Sequence, residues 1–535
     1  MMALATAIDP RAQQFRENAA ALDRQLAEIR ALEAKVRANS SAAKETFDKR
    51  GQLLPRERVA RLLDRGAPFI ELSTLAGFKM HDDDGDRSIM GGGSIAGIGV
   101  VSGKRCIVAA NDSAIKGGTI CPMGVKKALR AQELAFENKL PMIHLVESGG
   151  ANLLYQAEMF VEGGRSFANQ AHLSAAGIPQ IAVVHGSSTA GGAYLPGLSD
   201  YIVLVRKRSK IFLAGPPLVK AAIGEDADDE SLGGADLHAS VTGLGEYIVN
   251  NDAQAIAQAR AILRHLPWDV AADPDYSDEP LNDPEQLPGI VSADLRVPFD
   301  MREIIARIAD ASDLLEFKAN YSHDTVCGHG RIAKFEVGFI ANNGPILPTG
   351  SVKAAQFIQL CDQAGVPLVF LQNTTGYMVG TKAEREGAIK HGSKMIQAVA
   401  NARVPKFTIV IGGSYGAGNY GMCGRGFSPR FIFAWPSART AVMGGDQVAR
   451  VMETITRAKF ARTGGVDEKA LQKMADSIRA RMEVESTAVY GTARLWDDGI
   501  IDPRDTRRVL GHCLQIAQEA ERRQLRPNAF GVARM

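Results

Sequence analysis

One spacing constrains this chain before anything else. Pro141 and Pro367, Pro179 and Pro405, Gly192 and Gly418, and Tyr194 and Tyr420 all lie 226 residues apart. Each proline sits at the head of a short apolar run. The first pair of runs ends in Glu147-Ser148-Gly149-Gly150-Ala151 and in Asn373-Thr374-Thr375-Gly376. The second pair ends in Gly186-Ser187-Ser188-Thr189-Ala190-Gly191-Gly192-Ala193 and in Gly412-Gly413-Ser414-Tyr415-Gly416-Ala417-Gly418-Asn419. Concordant spacings over two successive strand–loop units mean one domain used twice. Short apolar strands alternating with helical stretches, each strand ending in a glycine-rich loop, predict α/β layers. The chain is therefore expected to be two α/β domains in tandem, with the two glycine turns as candidate halves of an active site.

The 535 residues suit two domains of this kind. The expected division is a helical segment over 1–48, a first domain over 49–290 and a second over 291–535. Residues 12–48 carry apolar positions at helical spacing and predict one or two long helices. Residues 125–138 read as an amphipathic helix. The stretch 265–300, with Pro267, Pro274, Pro280, Pro284, Pro288 and Pro298, is the linker candidate. His81-Asp82-Asp83-Asp84-Gly85-Asp86 invites a calcium reading. An EF-hand loop counted from Asp82 needs glutamate where Gly93 stands, so a solvated acidic loop is expected and no metal site is assigned.

Net charge is +2, with 62 basic against 60 acidic side chains, so no global field favours nucleic acid. No run is long and apolar enough to span a membrane, and Met1–Pro10 lacks the apolar core of a signal peptide. Six dispersed cysteines without Cys-x-x-Cys exclude a zinc ribbon and argue against a disulfide framework, which fits a reducing compartment.

The chemistry legible in the residues is backbone chemistry. A strand passing through small residues into a helix presents N–H groups that can hold a phosphate or a developing oxyanion. Gly191, Gly192, Gly416, Ala417 and Gly418 are the candidate catalytic positions. Ala190, Ala193, Tyr415 and Asn419 beside them, Gly376 at a neighbouring strand end, and Lys116, the cation of an intervening turn, are candidates for cofactor contact. Gly163, Gly164, Arg165 and His185 are candidates for the substrate pocket, although a loop and a structural histidine are the plainer readings. The cluster Arg206-Lys207-Arg208-Ser209-Lys210 is either an anion contact or a solvated strand end. Gly412-Gly413-Ser414-Tyr415-Gly416 also fits the nucleophile elbow of serine hydrolases. The histidine downstream of it is His512, in an expected terminal helix, and the first repeat breaks the motif. A hydrolase is thus the second reading, and a non-catalytic scaffold the third.

Longer strings carry a resemblance. These are Lys116-Gly117-Gly118-Thr119, Glu147-Ser148-Gly149-Gly150-Ala151-Asn152-Leu153, Phe212-Leu213-Ala214-Gly215-Pro216-Pro217, Thr375-Gly376-Tyr377-Met378-Val379-Gly380, Gly412–Met422 and Ala434-Trp435-Pro436. Through them nearly the whole chain, from Arg50 to Met535, resembles the carboxyltransferase (β) subunits of biotin-dependent acyl-CoA carboxylases, in the methylcrotonyl-CoA and geranyl-CoA branch. The resemblance implies two crotonase-like (ClpP/crotonase superhelix) domains, a hexameric β core and an α6β6 assembly. It also implies an active site where the N-domain of one subunit faces the C-domain of another. The implied substrate is a coenzyme A thioester. The implied cofactor is biotin, as carboxybiotin on a partner α subunit that contains the biotin carboxylase and the biotin carboxyl carrier.

By the same resemblance, the amides at Gly191 and Gly192 hold the thioester oxyanion and those at Gly416, Ala417 and Gly418 hold the ureido oxygen. No protein general base is then required. The implied location is the bacterial cytoplasm or, in a eukaryote, the mitochondrial matrix. One departure bears on the substrate. Where the methylcrotonyl pattern has a bulky aromatic ahead of Gly-Arg, this chain has Gly163, which implies a deeper acyl pocket and a longer branched chain such as geranyl-CoA. Propionyl-CoA or another acyl-CoA is the alternative substrate.

Overall fold

A computed structural model describes residues 3–292, 294, 296–460 and 467–533. Arg534 and Met535, the end of the span that carries the resemblance, lie outside them. The chain forms two compact units. The first comprises residues 31–272, 493–495 and 518–535; the second comprises 1–30, 273–492 and 496–517. The passage between them, from Ala272 to Asp273, falls inside the proline-rich stretch. That stretch is more than a linker. Asp283 caps the turn Pro284–Gln286, the helix Leu287–Ile290 follows, and Leu287, Ile290 and Val291 are buried in the second unit.

The first unit is built on a sheet of eight strands among the described residues: β1 (Ile70–Glu71), β2 (Ser94–Val101), β3 (Lys104–Asn111), β4 (Met142–Ser148), β5 (Gln180–Thr189), β6 (Tyr201–Val205), β7 (Lys210–Phe212) and β8 (Tyr247–Val249). Their order is β1-β2-β3-β4-β5-β6-β8, with β7 beside the end of β5. β1, β2 and β3 pair antiparallel; β3 through β8 pair parallel. The second unit repeats this with β9 (Leu315–Glu316), β10 (Thr325–Ile332), β11 (Phe335–Asn342), β12 (Leu368–Thr374), β13 (Lys406–Tyr415), β14 (Phe431–Ala434) and β15 (Arg439–Ala441), in the order β14-β13-β12-β11-β10-β9, with β15 beside β13.

The 226-residue offset holds for the two central strands: β4 maps onto β12 and β5 onto β13 at both ends. The repeated prolines explain why these strands begin where they do. A proline cannot donate to a ladder, so it sits just ahead of a central strand, where only its carbonyl is used. The carbonyls of Pro141, Pro179, Pro367 and Pro405 accept from Ile107, Met142, Gly338 and Leu368 on neighbouring strands, each at 2.9 Å. β4 from Met142 to Val146, apart from the buried His144, and β12 from Leu368 to Leu371 are apolar because a parallel sheet is covered on both faces. In the first unit Val108, Ile143, Leu145, Ile181 and Val183 join Ala255, Ile256 and Leu263 of the helix Asp252–His265 in one core. In the second, Phe357, Ile358 and Cys361 of the helix Pro348–Ala364 pack with Leu368, Phe370, Met395 and Val399.

The helices expected from periodicity form, with shifted ends. Residues 12–48 give Gln13–Ser41 and Lys44–Lys49. The amphipathic helix is Pro122–Glu137, three residues earlier than its apolar pattern, because Pro122 occupies the first helical position where no N–H is needed. The acidic loop is only partly solvated. Asp84 and Asp86 are exposed, but the Asp83 carboxylate is buried and accepts from the amides of Lys79, Gly85 and Met90. All six cysteines are buried free thiols. Among the described residues no helix is long and apolar enough to cross a membrane.

Candidate functional site

β5 and β13 each leave their sheet through the same backbone step. Ala190 has φ +53° and Gly416, its counterpart, φ +54°. Alanine in this left-handed region costs about 1 kcal/mol, so the surrounding structure imposes the turn. In the first unit a single 3-10 turn, Ala190–Ala193, and the four-residue helix Tyr194–Gly197 follow. In the second the helix Gly416–Gly421 is six residues long. A sizeable helix dipole is therefore not on offer. What each turn supplies is the set of first-turn amides that have no partner within the helix.

Exposure repeats across the two turns. Gly191 and Ala417 are exposed, Gly192 and Gly418 lie deeper, and Tyr194 and Tyr420 stand out at 48% and 49% exposure. Each tyrosine leans on a phenylalanine, Phe167 or Phe427, with ring centroids 5.8 Å apart. The strand beside each turn carries a bulge at the same place, between Val146 and Ser148 and between Gln372 and Thr374. Beyond it, Ser148 Oγ accepts from the Gly150 amide and Thr374 Oγ1 from the Gly376 amide, both at 3.1 Å.

The glycines differ in what demands them. A Cβ on Gly192 would meet only Ser148 Oγ and Ser188 Oγ, at 3.9 Å, and one on Gly191 only Phe167 Cζ, at 4.0 Å. Nothing inside the unit needs these residues to be glycine, so the space a Cβ would fill beside the amides is open. A Cβ on Gly418 would lie 2.8 Å from Gly376 Cα and 3.0 Å from Thr374 Cγ2. Glycine there, and Gly376 with φ +111°, are required by strand–helix packing. Of that turn Ala417 is exposed, and Tyr415, Gly416 and Asn419 are half-buried.

The pocket candidates are rearranged. Gly163, Gly164 and Arg165 are not in a loop: they lie inside the helix Gln156–Ala175. The helix continues through both glycines because its flanking turns are anchored by Met159 and by Gln170 and Leu173, all buried. A Cβ on either glycine meets nothing within 4 Å. His185 does not line a pocket. It is fully buried in β5, with Nδ1 3.0 Å from Asp252 Oδ1. Lys116 stands on a left-handed turn, φ +48°, and pairs with Asp82 at 2.8 Å. Lys116, then the Tyr155 hydroxyl, hold the Asp82 carboxyl below its usual range. The Gly149 amide donates to Gly117 O, which sets the Lys116 turn against the end of β4. Three members of the basic cluster have acidic neighbours: Arg206 pairs with Asp236 at the surface, Arg208 lies 3.7 Å from Asp252, and Lys210 pairs with Glu230, while Lys207 is exposed.

The nucleophile elbow is not one. Ser414 is fully buried, donates to Gln372 Oε1 and accepts from Asn419 Nδ2. His512, in the helix Thr506–Arg522, stacks edge-on with Tyr276. Sequence reasoning missed a third group behind the acyl-side turn, Arg58, Glu147 and Asp252. Glu147 stands in a string already noted, but nothing in its spacing from Arg58 or Asp252 announces that they meet.

Comparison with known proteins accords with this arrangement. The carboxyl transferase domain family matches residues 47–532. The β subunit of geranyl-CoA carboxylase from Pseudomonas aeruginosa superposes with a TM-score of 0.94, at 57% identity and complete coverage of both chains. The probable mitochondrial methylcrotonoyl-CoA carboxylase β chain of Drosophila melanogaster is 47% identical over 99% of this chain and 94% of its own. The biotin-dependent 3-methylcrotonyl-coenzyme A carboxylase β1 subunit of Mycobacterium tuberculosis is 49% identical over 91% and 92%. The two units are the tandem crotonase-like domains of such carboxyltransferases. The chain belongs to the carboxyl transferase family and is a carboxyltransferase of the acyl-CoA carboxylase type.

Proposed function

We propose that the protein is the carboxyltransferase subunit of a biotin-dependent carboxylase acting on a branched 3-methyl-2-enoyl-CoA, with geranyl-CoA preferred to 3-methylcrotonyl-CoA. The observation that carries the preference is Gly163. Four residues on, on the same face of the helix, Phe167 reaches within 4.0 Å of the position a Cβ on Gly191 would take. Gly163 thus sits one helical turn from Phe167, whose ring tip approaches Gly191, and projects no side chain. The identity of 57% to a geranyl-CoA carboxylase chain against 47% and 49% to methylcrotonyl relatives supports the same reading.

In this reading the amides of Gly191 and Gly192 receive the thioester oxygen as it gains charge. Those of Gly416, Ala417 and Gly418 face the ureido oxygen of biotin, with Tyr415 and Asn419 beside it. Carboxybiotin, carried on a partner α chain, supplies the activated carboxyl group. The chain's own work is to bind, orient and stabilise charge, which needs no side-chain nucleophile. The working assembly is a hexameric β core bearing α chains, in the cytoplasm of a bacterium or the matrix of a mitochondrion.

The test is bicarbonate fixation on a panel of acyl-CoAs with the α partner present. Geranyl-CoA is expected to give the highest kcat/KM. Gly163→Phe is expected to lower kcat/KM for geranyl-CoA by about 10-fold or more and leave 3-methylcrotonyl-CoA within about 3-fold. An equal response of both substrates sinks the pocket argument.

A further inference from the structure

The turn at Gly191 and Gly192 has a buried ionic support that the matching residues of the second unit do not reproduce. Arg58, on the helix Pro55–Leu62, is 1% exposed. Its Nη1 donates to Glu147 Oε2 at 2.5 Å and its Nε to Asp252 Oδ2 at 3.0 Å. Glu147 is the bulge residue of β4. Its carboxylate also accepts from Ser113 Oγ at 2.8 Å and from Gln52 Nε2 at 3.2 Å, and the same Gln52 Nε2 donates to the carbonyl of His185. The Glu147 side chain lies flat on β5, where a Cβ on Gly186 would fall 2.6 Å from Oε1. Asp252 completes the clamp, accepting from the Leu53 amide at 2.8 Å and from His185 Nδ1. An ionised carboxylate only accepts, so Nδ1 carries the proton. Burial, then Arg58, keep the imidazole neutral.

At the matching positions of the second unit stand Asn373 for Glu147 and Ile411 for His185. There the bulge residue merely accepts from the Gly413 amide.

We propose that Glu147, held by Arg58, is a positioning residue for the thioester-binding amides of Gly191 and Gly192. The inference rests on the functional reading above. Glu147 touches no reacting atom. It presses on β5 four residues before the turn, at the point where the register of β4 against β5 breaks. It is also followed directly by Ser148, whose hydroxyl lies under Gly192. Clamping both strand ends to one buried cation fixes where the amides point. A displacement of about 1 Å in such donors is enough to cost about 100-fold in rate. Because the developing charge is felt in the transition state more than in bound substrate, the loss belongs in kcat rather than in KM.

The test uses the αβ holoenzyme carrying Glu147→Gln, with Glu147→Asp as the conservative variant and Glu519→Gln as control. Glu519 pairs with buried Arg105 in the same unit, away from the turn, so its loss reports the general cost of breaking a buried pair there. Glu147→Gln is expected to lower kcat for enoyl-CoA carboxylation by about 10- to 100-fold with KM changed less than about 3-fold. Acyl-CoA-independent decarboxylation of carboxybiotin should stay at the wild-type rate, and Glu147→Asp should recover part of kcat. If Glu147→Gln and Glu519→Gln lower kcat alike, in step with their melting temperatures, Glu147 is only structural and the proposal fails. Equal loss of both half-reactions overturns it too. A wild-type holoenzyme inactive on every enoyl-CoA overturns the functional reading instead.

Discussion

The two glycine turns share a backbone and differ in what stands behind it. Behind Gly191 and Gly192 is a buried ionic cluster of one arginine and two carboxylates, in which removing one partner is expected to cost about 3–5 kcal/mol. Behind Gly416 to Gly418 the side-chain hydrogen bonds are neutral, and the Arg439–Glu483 pair lies to one side on β15. Asn419 donates to Ser414, Ser414 donates to Gln372, and Gln372 donates to the carbonyl of Met422. The duplication kept the φ values, the bulge and the exposed tyrosines, and changed the polar residues packed beneath. A buried charge cluster resists distortion strongly but fails badly when broken. A neutral chain loses only a hydrogen bond at a time. The same backbone turn is therefore braced by buried charge in one unit and by neutral hydrogen bonds in the other.

The sharpest way to break the comparison is the same substitution at the same repeat position. Gly192→Ala puts a methyl into open space, so melting should move little, by less than about 0.5 kcal/mol. The methyl occupies the approach to the amides, and kcat/KM for carboxylation should fall by about 100- to 1,000-fold. Gly418→Ala drives a methyl into Gly376 and Thr374 and should lower stability by about 1–3 kcal/mol before any catalytic effect is read. Paired denaturation and steady-state kinetics decide it. If Gly192→Ala unfolds the protein while Gly418→Ala is silent, the assignment of steric demand to the two turns is reversed.

The tandem and both turns were legible because a repeat leaves its mark in spacing, and prolines at strand heads are a local signal. The Gly163 helix was not legible: two adjacent glycines read as a loop when the buried anchors that carry the helix through them, Met159 and Leu173, are contributed by tertiary packing. Arg58, Glu147 and Asp252 could not be assembled from sequence, since they are 89 and 194 residues from one another's partners and meet only once β4, β5 and two helices are in place. His185 was readable as a histidine before a glycine turn, but its burial depends on that same assembly. The acidic loop misled for a related reason, because Asp83 turns inward to cap three amides.

Ser414 and Ser188 offer a milder test, as they occupy equivalent positions. Ser188 Oγ donates to the carbonyl of Gly192, whereas Ser414 links Gln372 and Asn419. Ser414→Ala should cost about 1–3 kcal/mol, because two buried amide groups each lose a partner, and should leave carboxylation within about 10-fold of wild type. Ser188→Ala removes a single bond and should cost about 1 kcal/mol. Chemical denaturation with a bicarbonate-fixation assay measures both. Complete loss of activity in Ser414→Ala alone would restore the nucleophile reading that its burial argues against.

A last contrast between the units concerns charge balance. The first unit's buried carboxylates face Arg58, so Asp252, despite burial, is held below its usual range by the hydrogen bond from His185 and by Arg58. In the second unit Asp497 is fully buried and Arg425 donates to the adjacent Asp498. Burial pushes the Asp497 carboxyl up to about 7, against a hydrogen bond from Thr492 and with help from Asp498. The folded state therefore binds a proton that the unfolded chain releases near its ordinary carboxyl value. This contribution to stability is fully present at low pH and lost as pH rises from about 4 to about 7. Asp252 acts in the opposite sense, losing its contribution as pH falls below the ordinary carboxyl range. Asp497→Asn should therefore flatten the decline of second-unit stability between pH 4 and 7 without changing the acid limb. Denaturation midpoints across that range for wild type and variant measure it, and parallel curves would mean that Asp497 is ionised in the folded protein.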